Sequence, residues 1–184
     1  MCDHHPTDIS RRGFAGLAAL GVGLSLLPQR ASARTEPPGD TLCLMCIDHR
    51  YAADAVKFFD DHAGIRNYDL VSLAGASLAA LPTTNFPSTH LGLWEQVAFA
   101  QKPPGEGPGL LHPSIRSVFV LDHMNCGAYK AEWQGINRAE ERAKHSEVAH
   151  RVGPMFAAKG LETSIWLLDD VTRTTEKIWS LPHQ

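Results

Sequence analysis

The stretch Ser117-Val118-Phe119-Val120-Leu121 runs without a break into Asp122-His123-Met124-Asn125-Cys126-Gly127. Its first half is short, apolar and continuous, the pattern of a strand covered on both faces. Its second half sets an imidazole and a thiol three residues apart, where that strand delivers its carboxyl end. Open α/β sheets place their sites at that end. A second stretch upstream has the same plan: Thr41-Leu42-Cys43-Leu44-Met45 leads into Cys46-Ile47-Asp48-His49-Arg50.

Working outward, Tyr68 to Leu73 (YDLVSL), closed by Ala74-Gly75-Ala76, and Ser164 to Leu168 (SIWLL) read as two more strands. Helices are predicted between them. Ala52 to His62 has Ala53, Val56, Phe59 and Ala63 at helical spacing, with Gly64 as a stop. His90 to Gln101 offers Leu93, Val97 and Ala98 as an apolar side. Arg138 to Ala158 is strongly helical, although Gly153-Pro154 should kink or end it. Val171 to Trp179 is expected to form a last short helix, and KPPGEGPGLLHPS, residues 102–114, a surface loop. Strands alternating with helices predict the α/β class: an open, mainly parallel β-sheet flanked by helices.

Of 184 residues, 43% are hydrophobic and 20% charged, ordinary for one globular domain. A net charge of −3 with no basic stripe argues against a nucleic-acid partner. The first third of a hundred residues is different material. Ser10-Arg11-Arg12-Gly13-Phe14 carries a twin arginine, Phe14 to Leu27 has no charge, and Ala31-Ser32-Ala33 gives the small-x-small pattern of a cleavage site. The apolar run is shorter than the roughly 20 residues that span a bilayer. A twin-arginine signal peptide over residues 1–33 is therefore expected, with a linker at 34–40, a zinc domain over 41–184, a periplasmic address and no lasting membrane association. A retained anchor is the competing reading. Export of an already folded chain would suit thiols that must keep a metal rather than oxidise. Cys2 leaves with the signal, and the odd number that remains, Cys43, Cys46 and Cys126, argues against a disulfide framework.

Thiolate sulfur and imidazole nitrogen suit zinc, at about 2.3 Å and 2.0 Å respectively. Cys46, His123 and Cys126 from two strand ends would supply three ligands and leave a fourth position open. Cys43 permits a rival, a closed structural site with four protein ligands. Residues three apart on an extended strand face opposite ways, however, and LCLMCI contains no turn residue. A redox-active C-x-x-C pair is a further rival, but that motif belongs at a helix N-terminus. Cys43 reads best as a small buried hydrophobe. Asp48 has two candidate roles: fourth ligand, or acceptor held ionised by the two-pronged guanidinium of Arg50. A plain surface ion pair is the bland alternative. His49 is either a solvent-facing proton shuttle or a bystander.

Cys46-x-Asp48-x-Arg50 followed by His123-x-x-Cys126-Gly127 resembles the paired signature of the β-class carbonic anhydrases, and the resemblance covers nearly all of the chain after residue 40. It implies that both cysteines and the histidine hold Zn2+. It further implies that Asp48 and Arg50 orient the water on the metal, or release Asp48 to become a ligand in a closed form. The implied reaction is reversible hydration of carbon dioxide to bicarbonate, by a homodimer or dimer-based oligomer with its sites near the subunit interface. One departure stands out: the family's Arg-Asn-Ala-Gly after the second strand is Ser72-Leu73-Ala74-Gly75 here. Other readings are a non-catalytic zinc-binding relative, and a hydrolase of carbon disulfide or carbonyl sulfide.

Overall fold

A computed structural model describes residues 40–62, 65, 67–102 and 114–181. The expected signal peptide, nearly all of the linker and most of the proline- and glycine-rich loop lie outside the described residues. Five strands build one sheet: β1 (Thr41–Met45), β2 (Tyr68–Ser72), β3 (Ser117–His123), β4 (Glu162–Leu168) and β5 (Thr175–Ser180), in the spatial order β2-β1-β3-β4-β5. The first four are parallel and β5 runs antiparallel to β4. The fold class expected from the sequence, a mainly parallel sheet flanked by helices, is the one observed.

Register explains why β1 and β3 carry such continuous apolar runs. Leu42 and Leu44 of β1 face one core with Val118, Val120 and Ile165. Cys43 and Met45 face the other with Leu121 and Leu168. The first core is covered by α2 (Thr89–Ala100), α3 (Gly127–Glu132), α4 (Arg138–Ala157) and a 3-10 turn at Ala76–Ala80. The second is covered by α1 (Ala52–Lys57), entered through a 3-10 turn at His49–Tyr51 and widened into a π turn over Phe58–His62.

Several expectations are corrected. Along α1 and its two flanking turns the inward residues are Tyr51, Ala55, Phe58 and Phe59, whereas Ala53 and Val56 are exposed; Ala63 lies outside the described residues. Aromatic rings bury far more area than alanine or valine, so the helix turns to bury three of them, and the widened turn admits the consecutive pair Phe58 and Phe59. On α2 the buried stripe is Leu93, Val97 and Ala100, at the i, i+4, i+7 spacing, and Ala98 points outward. Pro154 does not end α4. Sitting in the last turn, it deprives only the His150 carbonyl of a helical partner, and His150 is exposed to water.

The stretch Val171–Trp179 is no helix but a turn followed by β5. Asp169 causes the reversal, because its carboxylate accepts the Val171 and Thr172 N–H groups, each at 2.9 Å. The chain then pairs with β4, which would otherwise be a bare edge. The short α3 and the 3-10 turn at Ala76–Ala80 carry no separate signal in the pattern of the sequence.

Candidate metal centre

Cys46 is the first residue beyond β1, His123 the last of β3, and Cys126 immediately precedes α3. The parallel register of β1 and β3 puts these ends side by side. Between His123 and Cys126 the chain must reverse within two residues, and Asn125 does so with φ of 61°, a left-handed conformation that asparagine tolerates better than most. His123 and Cys126 thereby converge on Cys46. One donor atom from each lies within 4.8 Å of the other two, in a group that could hold a metal ion. The two sulfurs are 4.0 Å apart, and all three residues are buried.

The surrounding groups fix these donors. His123 Nδ1 is 2.9 Å from the Met124 carbonyl oxygen, so it donates there and Nε2 is the nitrogen left for coordination. That Nε2 is buried without a hydrogen-bond partner, and it faces the two sulfurs. The Gly75 N–H donates to Cys46 Sγ at 3.4 Å. Gly75 is at φ 81°, and a Cβ there would come within 3.0 Å of Leu78 Cβ, so this approach depends on glycine. The Cys126 N–H donates to Glu141 Oε1 at 2.6 Å. The Tyr51 ring stacks on His123, with centroids 4.2 Å apart.

Asp48 lies beside this cluster but outside it. Arg50 Nε donates to Asp48 Oδ1 at 2.9 Å and Nη2 donates to Oδ2 at 2.5 Å. The same Nη2 donates to the Asn125 carbonyl at 3.2 Å, which ties the first motif to the second. The Arg50 guanidinium holds the Asp48 carboxyl down at about 2, so Asp48 is ionised at every physiological pH. The hydrogen bond from Cys126 holds Cys46 ionised, well below the ordinary thiol range, and His123 and Gly75 add to that against the effect of burial. The same contact and burial push Cys126 up. Burial opposes charge on His123, but its contact with Cys46 and the Met124 carbonyl outweigh it and raise the ring's pKa.

Cys43 sits on the opposite face of the sheet from Cys46, fully buried in the second core; burial pushes its thiol far up. A closed set including Cys43 does not form. His49 is exposed. In the altered loop, Ser72 Oγ donates to the Cys46 carbonyl at 3.3 Å, and Leu73 packs on the first core. Sequence reasoning missed Tyr51, Glu141 and the buried Asp122. An acid one residue before His123 in an otherwise apolar strand, and the spacing of Glu141 and His145 on one side of a helix, were the available signals.

No known protein-family model matches the chain. It is 26% identical over 155 residues to an uncharacterized protein of Rickettsia conorii, covering 81% of this chain and 77% of that one. It is 29% identical over 131 residues to an uncharacterized protein of Rickettsia bellii, covering 68% and 73%. Similar solved structures include a carbonic anhydrase from Glaciozyma antarctica, with TM-score 0.44 and 14% identity over 97% of this chain and 100% of that one. Others are a carbonic anhydrase from Streptococcus mutans, with TM-score 0.45, 15% identity and coverage of 91% and 92%, and a tetrameric β-carbonic anhydrase from Sordaria macrospora, with TM-score 0.44, 12% identity and coverage of 90% and 91%.

Proposed function

We propose that the protein is a zinc-dependent enzyme of the β-carbonic anhydrase kind that converts carbon dioxide and water reversibly to bicarbonate and a proton. The observation that carries this reading is the convergence of Cys46, His123 and Cys126 beside an Asp48 locked on Arg50. Two sulfurs, one of them ionised, and an unpartnered imidazole nitrogen are a donor set that fits zinc. When bound, zinc lowers the pKa of coordinated water from 15.7 to about 7, which supplies a nucleophile at neutral pH. Asp48, kept ionised beside the three donors, would accept a hydrogen bond from the nucleophile that zinc supplies and so orient it toward the substrate carbon. Arg50 anchors Asp48 to the turn that carries Cys126 and would keep it from serving as a further metal ligand.

The proposal extends to export by the twin-arginine route, a periplasmic address and assembly as a homodimer or dimer-based oligomer. The test is stopped-flow hydration of carbon dioxide by the full chain after zinc loading. Hydration is expected to rise in proportion to zinc content. A rate at buffer background from zinc-replete protein would overturn the reading. Turnover of carbonyl sulfide or carbon disulfide would then assign a hydrolase, and turnover of neither a metal-binding protein.

A further inference from the structure

A second buried cluster lies directly behind Cys126. Glu141 is 2% exposed and His145 and Asp122 are 0% and 1% exposed. Glu141 Oε1 accepts the Cys126 N–H and lies 4.0 Å from His145 Nε2, while His145 Nδ1 is 3.3 Å from Asp122 Oδ2. The His145 ring also stacks on Tyr129, with centroids 3.7 Å apart. Asp122 in turn accepts the Ser77 N–H at 2.9 Å and the Ser77 hydroxyl at 2.5 Å. Ser77 follows two residues after Gly75, whose N–H reaches Cys46. This one network therefore touches the chain beside all three candidate ligands.

Burying two acids and an imidazole is costly unless each is satisfied. The other inward residues of α4, among them Val148, Val152 and Phe156, are apolar. An apolar residue at 141 would seal that core at less cost, but it would strand the Cys126 N–H. Several other polar groups of the turn are already engaged. Met124 N–H donates to the Leu168 carbonyl at 2.9 Å, the Met124 carbonyl accepts from His123, and the Asn125 carbonyl accepts from Arg50. The Asn125 side-chain oxygen accepts from Lys130. Cys126 N–H is the group that depends on Glu141, and the turn it belongs to holds Asn125 in a left-handed conformation that needs outside support.

We infer that Glu141 is a positioning residue for the candidate metal centre. Through the Cys126 N–H it fixes the turn that carries His123 and Cys126. This rests on the metal-centre reading above.

The test measures zinc affinity of the full chain by competition with a chromophoric chelator, together with the thiolate absorption of the cobalt(II)-substituted protein. Partners just outside a metal's ligands typically alter affinity by about 10–100-fold. Glu141→Ala is expected to weaken zinc by that factor and to shift the cobalt spectrum. Glu141→Gln keeps an acceptor but loses the charge that strengthens the bond, so it should fall between wild type and Glu141→Ala. Wild-type affinity and spectrum in folded Glu141→Ala would overturn the inference. If Glu141→Ala does not fold, Glu141→Gln decides: weakened zinc supports the inference, and unchanged zinc overturns it. A wild-type chain that takes up no zinc would overturn the metal-centre reading itself. Zinc-replete, active wild type with unaffected variants would sink only the role of Glu141.

Discussion

Cys43 and Cys46 are three residues apart, and that step separates a core side chain from a donor. The strand turns Cys43 into the apolar second core and leaves Cys46 at the sheet's end beside His123 and Cys126. Mutating each should separate packing from metal binding. Cys46→Ser, His123→Ala and Cys126→Ser are each expected to abolish zinc, measured by plasma emission on purified protein, and to lower the melting temperature, because metal binding and folding share free energy. Cys43→Ser is expected to keep about one zinc per chain while losing roughly 1–3 kcal/mol of stability, the cost of burying a hydroxyl where a thiol sat. Loss of zinc in Cys43→Ser would contradict the three-donor site.

At the scale of the elements, α4 and β5 pack closely where Gly153 faces Trp179. A Cβ on Gly153 would fall 2.3 Å from the Trp179 ring, so Gly153→Ala should destabilise the fold by about 1–3 kcal/mol through overpacking. Trp179→Leu should relieve that penalty in a double-mutant cycle read by urea denaturation. Additive losses would show that the two do not press on one another. This contact also marks where reading the sequence stops. β1 and β3 were legible because a strand buried on both faces leaves a continuous apolar run. β5, with Glu176 and Lys177 exposed between Thr175 and Ile178, has no such run. Its strand state is decided by the Asp169 turn, which is local, and by the open edge of β4, which is a tertiary fact. The ligand candidates were legible because each motif sits at the end of a readable strand. Glu141 and His145 were not, because α4 is charged along most of its first three turns and their shared side of the helix does not by itself mark which charges face inward.

Over the whole molecule the sheet places two motifs, some eighty residues apart in the chain, at adjacent strand ends. In the proposed export route, the segment before residue 40 would decide where the site works rather than how. Replacing Arg11 and Arg12 by lysine should hold the precursor in the cytoplasm, and the exported form should begin near Arg34, both read by fractionation and mass spectrometry. Undiminished periplasmic protein from the double-lysine chain would contradict the twin-arginine route. Catalysis is the central claim, and Asp48 is its most direct probe. Held at about 2 by Arg50, Asp48 stays ionised throughout the neutral range, so its charge can be removed only by mutation. Asp48→Asn keeps the size of the side chain and all three candidate zinc donors. A charge-assisted hydrogen bond of about 1.5–3 kcal/mol converts, at about 1.4 kcal/mol per decade, to at least roughly tenfold in rate. The decisive measurement is carbon dioxide hydration by zinc-replete wild type and zinc-replete Asp48→Asn from about pH 6 to 9, bracketing the ionisation of coordinated water near pH 7. Wild type should be faster by at least that factor across the range, and equal rates would contradict the assignment of the site as a carbonic anhydrase centre.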